Sequence, residues 1–509
     1  MTRLRRSGAI ATVLACAVVL SGCLPWLGDA TPLTSTPTGE KVTADLQPFY
    51  DQVLEWSACE DGFQCATADA PLDWDDPERE TIELALIRKV GTGERLGSLL
   101  INPGGPGASG FEFVRDSLDY AVSAQLQSSY DIVGFDPRGV NKSSAVDCYD
   151  DPDELTAFLY DLSPGEVGSE AWIDDIEQSS AEFGRACLEH TGELLGYVDT
   201  VSAARDLDLL RAILGDTELN YLGYSYGTLL GATYADLYPD NTGRLVLDGA
   251  VDPATTDFEV TAIQAQGFES ALRAYLADCM TGTECPFRGS VDLAMDDIRA
   301  LFDSLDASPL RAGDGRQLGS SAMFNALILP LYSSTTWPYL NDLFVDVMNG
   351  RADFAFQLAD SYYGRNDDGT FGDNSTEAFI AVNCLDYVST STRETLQQEA
   401  EELARLAPVL GPQMSYGGTS CSEWPFEANR LRVPIAASGS GPIVVVGTTN
   451  DPATPYTWAQ SLADQLENGH LVTYNGEGHT AYNKSNSCVN DAVDRYFIDG
   501  TVPETDPLC

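Results

Sequence analysis

Leu219-Asn220-Tyr221-Leu222-Gly223-Tyr224-Ser225-Tyr226-Gly227-Thr228-Leu229-Leu230-Gly231-Ala232 contains a short apolar run, a serine held between two glycines, and the opening of a helix. That succession is the setting of a nucleophile elbow: the serine sits on a strained turn, and any side chain in place of Gly223 or Gly227 would collide with neighbouring backbone. With 45 glycines in 509 residues, a bare GxSxG is only moderately specific. Its place between a strand and a helix makes it a strong signal.

Outward from the serine, β-rich apolar runs at Ile82–Ile87, Gly97–Ile101, Tyr130–Phe135, Arg244–Leu247, Pro442–Val446 and His470–Tyr474 end at turn or glycine signals. Helical patterns lie between many of them. Ser202 to Leu214 (SAARDLDLLRAIL) predicts an amphipathic helix, closed by Gly215. The alternation predicts a mostly parallel, doubly wound sheet. Between Leu247 and Pro442 the rhythm stops, and the pattern becomes mainly helical, with aromatic patches at Ser334–Tyr339 and Tyr362–Tyr363. Such an insertion, expected over 253–430, forms a cap above the sheet edge where open α/β sheets bind their substrates. The flanking parts, 46–252 and 431–509, make the core.

A serine hydroxyl needs a base, and the chain offers three histidines. In a sheet of this kind the order is serine, acid, histidine. His190 precedes the serine, and His470 opens a strand. His479 follows that strand in the glycine-flanked loop Asn475-Gly476-Glu477-Gly478-His479-Thr480, which makes it the candidate base. The acid must lie between, at a strand end. Asp451 is the acid on the loop Gly447-Thr448-Thr449-Asn450-Asp451-Pro452-Ala453-Thr454-Pro455. It would fix the imidazole tautomer without taking the proton itself. Donors for a developing oxyanion are expected from the Tyr226 amide and from Asn102-Pro103-Gly104-Gly105-Pro106-Gly107, with the Gly105 amide favoured over that of Gly104. Asp136-Pro137-Arg138-Gly139 is most economically a turn with a local ion pair, and Asp248 and Asp252 are turn residues of the same kind.

The first residues are a targeting signal. Arg3, Arg5 and Arg6 precede an apolar stretch, Ala9 to Leu20, too short for a permanent membrane span, and Leu20-Ser21-Gly22-Cys23 follows. Small residues before a cysteine resemble a bacterial lipobox, with Cys23 as the lipidated residue after removal of 1–22 and residues 23–45 as tether. This places the protein outside the cell, on the outer face of its membrane or released from it. A net charge of −50, from 28 basic and 78 acidic residues, disfavours nucleic acid and suits an exported protein or substrates with a free amino group. Ten of the 12 cysteines remain after Cys16 and Cys23, an even set that reads as disulfides. Connectivity is not fixed by sequence; the spacing favours sequential neighbours, Cys59–Cys65, Cys148–Cys187, Cys279–Cys285, Cys384–Cys421 and Cys488–Cys509. There is no CxxC pair, clustered histidine, P-loop or Rossmann glycine pattern, so no metal or cofactor is expected.

NPGGPGASG, FDPRG, TVSAARDLDLLRAILG, LGYSYGT, LVLDGAVDP and GTTNDPATP…GEGHT occur in the order found in secreted actinobacterial tripeptidyl aminopeptidases, within the proline iminopeptidase group of α/β-hydrolases with a TAP-like C-terminal region. The chain resembles that family from about Trp56 to Cys509. The resemblance implies an α/β-hydrolase fold and release of short, tripeptidyl-type pieces from free N-termini through an acyl-enzyme. Carried over, Ser225, Asp451 and His479 fall on the family triad, and Thr454 on a position that supports it. Recognition of the substrate amino group is expected from cap acids, Glu269 and Asp386 among the candidates. The alternative is carboxylesterase, lipase-like or endopeptidase activity on envelope substrates with the same triad. Epoxide-hydrolase or dehalogenase chemistry would need aspartate at 225.

Overall fold

The structure, a computed structural model, describes residues 33–503 and 506–509 apart from 61, 389–391 and 429. The expected signal segment and Cys23 lie outside the described residues. Among the described residues no helix is long and apolar enough to cross a membrane.

Among the described residues twelve strands form: β1 (Leu33–Thr34), β2 (Glu55–Cys59), β3 (Phe63–Pro71), β4 (Thr81–Lys89), β5 (Ser98–Asn102), β6 (Asp131–Phe135), β7 (Leu219–Tyr224), β8 (Thr242–Asp248), β9 (Leu310–Arg311), β10 (Gln317–Leu318), β11 (Ile443–Asn450) and β12 (Gly469–Glu477). Ten of them make one sheet in the order β1-β2-β3-β4-β6-β5-β7-β8-β11-β12. The first four and the β4–β6 pair are antiparallel, and everything from β6 to β12 is parallel. This is the predicted doubly wound α/β-hydrolase sheet. Strands β5 and β6 are buried at every residue, as parallel strands covered on both faces must be. Alternate residues serve opposite faces: Leu100 joins the core beneath the helix Thr200–Leu214, while Leu99 and Ile101 join the one beneath the helices Gly110–Ala121 and Ser487–Asp499.

Between β8 and β11 the chain is helical, as expected. The cap, however, has a second contributor that the division at residue 252 missed. Residues 147–198, between β6 and the helix Thr200–Leu214, carry the helices Pro152–Tyr160 and Glu170–Thr191. These pack on the later insertion rather than on the sheet: Trp172 meets Tyr416 edge-on at 5.3 Å, and Arg393 pairs with Asp174 and Glu177. The stretch expected to be tether is likewise bound to the body from Leu33 onward. Ser35 donates to the Leu54 carbonyl, and Glu40 takes two 2.9 Å bonds from the buried Arg211.

The five disulfides among the described residues join sequential neighbours: Cys59–Cys65, Cys148–Cys187, Cys279–Cys285, Cys384–Cys421 and Cys488–Cys509. The last fastens residues 506–509 along β12, the sheet's edge, where the Cys509 amide donates to the Thr473 carbonyl and Thr473 N–H to the Pro507 carbonyl.

Candidate active site

Ser225 stands between β7 and the helix Tyr226–Leu237 with φ 54° and ψ −125°, a conformation that non-glycine residues adopt only under constraint. The turn closes because Gly223 and Gly227 have no side chains: a Cβ on Gly223 would lie 2.3 Å from the Gly227 carbonyl oxygen, and one on Gly227 2.7 Å from Asn102 Oδ1. Ser225 N–H donates to the Asp248 carbonyl at 2.9 Å, tying the elbow to β8.

His479 and Asp451 meet at the ends of the neighbouring strands. His479 Nδ1 lies 2.9 Å from both carboxylate oxygens of Asp451. A carboxylate can only accept here, so Nδ1 carries the hydrogen, and in the neutral ring the lone pair is on Nε2. The carboxylate is fully enclosed and also accepts from the amides of Ala453, Thr454 and Thr480 at 2.8–3.1 Å. Thr454 Oγ1 lies 3.2 Å from Nδ1, on the same side as the carboxylate. His479 is held from the cap as well: its backbone N–H donates to the Tyr332 carbonyl at 2.8 Å, and the Tyr332 ring stands edge-on to the imidazole at 5.4 Å. Ser225 Oγ has no hydrogen-bond partner among the described residues. Nucleophile–base bonds are commonly long before substrate binds.

Two backbone amides, one next to Ser225 and one on the facing glycine loop, are the candidate oxyanion donors. Tyr226 N–H is the first of its helix, one of the donors a helix start leaves unpaired, and it lies at the positive end of the helix dipole. On the facing loop, Gly104 N–H already donates to Asn102 Oδ1 at 2.9 Å, whereas the Gly105 N–H has no partner among the described residues. Gly104 itself must be bare, since its Cβ would fall 2.8 Å from that of Ser225.

A cleft of about 990 Å³ opens beside this loop, from Gly105 and Tyr332 past Tyr362 and Phe379 to Trp172 and Tyr416. Its charged lining consists of Asp161, Asp175 and Asp306, with no lysine, arginine or histidine. Neither cap acid singled out from sequence is there. Glu269 is buried and accepts from the Val409 and Leu410 amides. Asp386 accepts from the backbone and hydroxyl of Thr200. Burial pushes its carboxyl up to about 6.

Two turn readings also change. The Arg138 guanidinium pairs with Asp206, 68 residues away, at 2.7 Å in a fully buried bidentate bridge. Asp136 instead accepts from Ser109 Oγ and the Phe111 and Lys142 amides. Asp248 is not a surface turn residue: its buried carboxylate accepts from the Ala481 and Tyr482 amides, holding the chain just after His479. Asp252 does cap a local turn through the Ala254 amide.

Residues 97–291 match the α/β-hydrolase fold family, and residues 407–509 match the TAP-like protein family. The chain is 35% identical to serine protease Hip1 of Mycobacterium tuberculosis over 98% of its own length and 96% of that protein's. It is 35% identical to carboxylesterase B of the same species, covering 88% of this chain and 86% of that one. Tripeptidyl aminopeptidase of Streptomyces lividans is 29% identical, over 90% and 86% of the two chains.

Proposed function

The chain belongs to the TAP-like α/β-hydrolases, and from that membership we propose an exported serine peptidase that removes short, tripeptidyl-type pieces from free N-termini. It is an enzyme, a serine hydrolase, and the relatives named serine protease and tripeptidyl aminopeptidase place its substrates among peptides and proteins.

In the proposed mechanism, His479 Nε2 takes the proton of Ser225 as its Oγ attacks the scissile carbonyl. Asp451 holds the imidazole through Nδ1 and stabilises the imidazolium, with Thr454 beside it. The Tyr226 and Gly105 amides receive the oxyanion. His479 then protonates the leaving amine, and water, activated by the same imidazole, releases the acyl group.

The observation that carries the aminopeptidase reading is the charge of the cleft. Three carboxylates and no cation line a space that begins at the oxyanion loop, which favours a substrate whose far end is an ammonium. Five disulfides among the described residues support export, and Cys23 is proposed as the lipid-bearing residue that holds the enzyme to the outer membrane face. Cys23→Ser should abolish palmitate labelling of the full chain in cells; unchanged labelling would refute the anchor.

The deciding measurement is turnover of mono-, di- and tripeptide anilides, free and N-acetylated, beside short-chain esters, with Ser225→Ala as blank. Tripeptide anilides with a free amino group should be cleaved best, and Ser225→Ala should lose about 10⁴–10⁶-fold in kcat while staying folded. Equal cleavage of acetylated peptides would make the enzyme an endopeptidase, and preference for esters would align it with the carboxylesterase relative.

A further inference from the structure

The residue after the nucleophile is tied to the cap by a chain of side chains that the mechanism above does not use. The buried phenol of Tyr226 lies 2.5 Å from Thr200 Oγ1, and Thr200 Oγ1 lies 2.5 Å from Asp386 Oδ2. Thr200 N–H also donates to Asp386 Oδ1 at 2.9 Å. The direction of these bonds follows from the far end. A carboxylate accepts only, so the threonine hydroxyl donates to Asp386 and its oxygen is left to accept the phenol hydrogen of Tyr226. Asp386 closes the cap helix Ser375–Asp386, and the Cys384–Cys421 bridge pins that end.

The other end of the same helix lies against the loop that carries the other proposed oxyanion donor, at Gly107. A Cβ on Gly107 would fall 2.5 Å from the Ser375 carbonyl oxygen and 2.9 Å from the Phe379 amide, so helix backbone and glycine loop are in direct contact. Asn374, just before the helix, binds the core through the Gly139 and Val146 carbonyls and the Asn141 amide. One cap helix thus reaches both segments that carry oxyanion amides, the loop directly by its first turns and Tyr226 from its last residue through Thr200.

We infer that Asp386, acting through Thr200 and the Tyr226 hydroxyl, is a positioning residue that fixes the Tyr226 amide for the transition-state oxyanion. Oxyanion stabilisation depends on donors aimed in advance at the developing charge, so freedom at Tyr226 is felt in the transition state more than in substrate binding. Tyr226→Phe deletes one end of the chain without altering the amide or the ring. Asp386→Ala deletes the other end, away from the cleft. Each should lower kcat roughly tenfold with KM nearly unchanged, well short of the 10²–10³ lost with a whole oxyanion donor. A peptidyl boronate, whose tetrahedral adduct fills the oxyanion position, should lose affinity by the same factor as kcat/KM.

The inference rests on the assignment of Ser225 and the Tyr226 amide, so the variants are measured beside Ser225→Ala, with rates expressed per site titrated by a fluorophosphonate to remove any misfolded fraction. The double variant should be no slower than the slower single one, because both cut one chain. Undiminished kcat in either single variant, additive losses in the double, or a rise in KM at constant kcat would overturn the inference while leaving the triad standing. Retained turnover in Ser225→Ala would instead overturn the reading beneath it.

Discussion

The cap has two halves that are held in different ways. Residues 257–363 bury Phe268, Tyr275, Phe302, Met323 and Phe344 in a cluster distinct from the two cores of the sheet, joined there by Tyr160, Val409, Leu410 and Ala453. The helix Ser375–Asp386 and the segment around Trp424 have no separate core: Ala381, Val382, Leu385 and Trp424 belong to the cluster that also contains Tyr221, Leu230 and Leu245 of the hydrolase body. The first half packs on that cluster and is also tied to the catalytic loops, through Ala453 and through the bond from the His479 backbone N–H to the Tyr332 carbonyl. The second is an extension of the catalytic body, and the cleft lies between them, with Tyr332 and Tyr362 from one and Phe379 and Tyr416 from the other.

The largest effect on this division should come from Phe344→Ala. Phe344 is fully buried, stacked on Tyr275 and edge-on to Phe287 at 4.9 Å, so its truncation should cost about 3–5 kcal/mol. Calorimetry should show a separate, earlier transition for the first half, whereas a single transition moved as a whole would mean that the halves unfold together. Next come the bridges. Cys384–Cys421 spans 37 residues and Cys279–Cys285 spans 6, so loop-closure entropy predicts losses of about 4 and about 2 kcal/mol on their removal. Paired serine replacements followed by denaturant titration test the order, and kcat should fall with the first pair alone. The last effect depends on pH and vanishes in acid; it concerns Glu377, on the second half. Its carboxyl accepts the Cys148 amide but is pushed up to about 7, chiefly by burial, from an ordinary 4.5. Between those values the folded chain holds a proton that the unfolded chain has lost, so stability falls as pH rises through that window. Glu377→Gln should match the parent at pH 4 and exceed it by about 2–3 kcal/mol at pH 8. An equal difference at both pH values would mean that the carboxyl is not confined as described.

Much of this was legible in sequence, because the signals were local. The strand runs, the elbow between β7 and its helix, and the loops bearing Asp451 and His479 are each written within a few residues, and the scarcity of histidine narrowed the choice of base. The bridges were legible because neighbouring cysteines close short loops. What escaped depends on distant partners. Helical periodicity announces the helix Glu170–Thr191 but not that it packs against Tyr416 and Trp424. Arg138 was read with Asp136 inside one proline turn, while its true partner, Asp206, lies on a helix 68 residues away. Glu269 and Asp386 share a composition with substrate-binding acids, and only the backbone amides they meet show that they brace the structure instead.

The fastening of residues 506–509 along β12 has a colloidal consequence. β12 is the outermost strand on its side, and an outermost strand with free amides and carbonyls invites another molecule to add to it. The Cys509 amide and Pro507 carbonyl occupy both backbone groups of Thr473, and the bridge to Cys488 keeps them in place under load. At the opposite margin β1 is two residues long, too short a template for stacking. Reductive cleavage of Cys488–Cys509 would therefore be felt first as turbidity in concentrated solution, well before any loss of turnover.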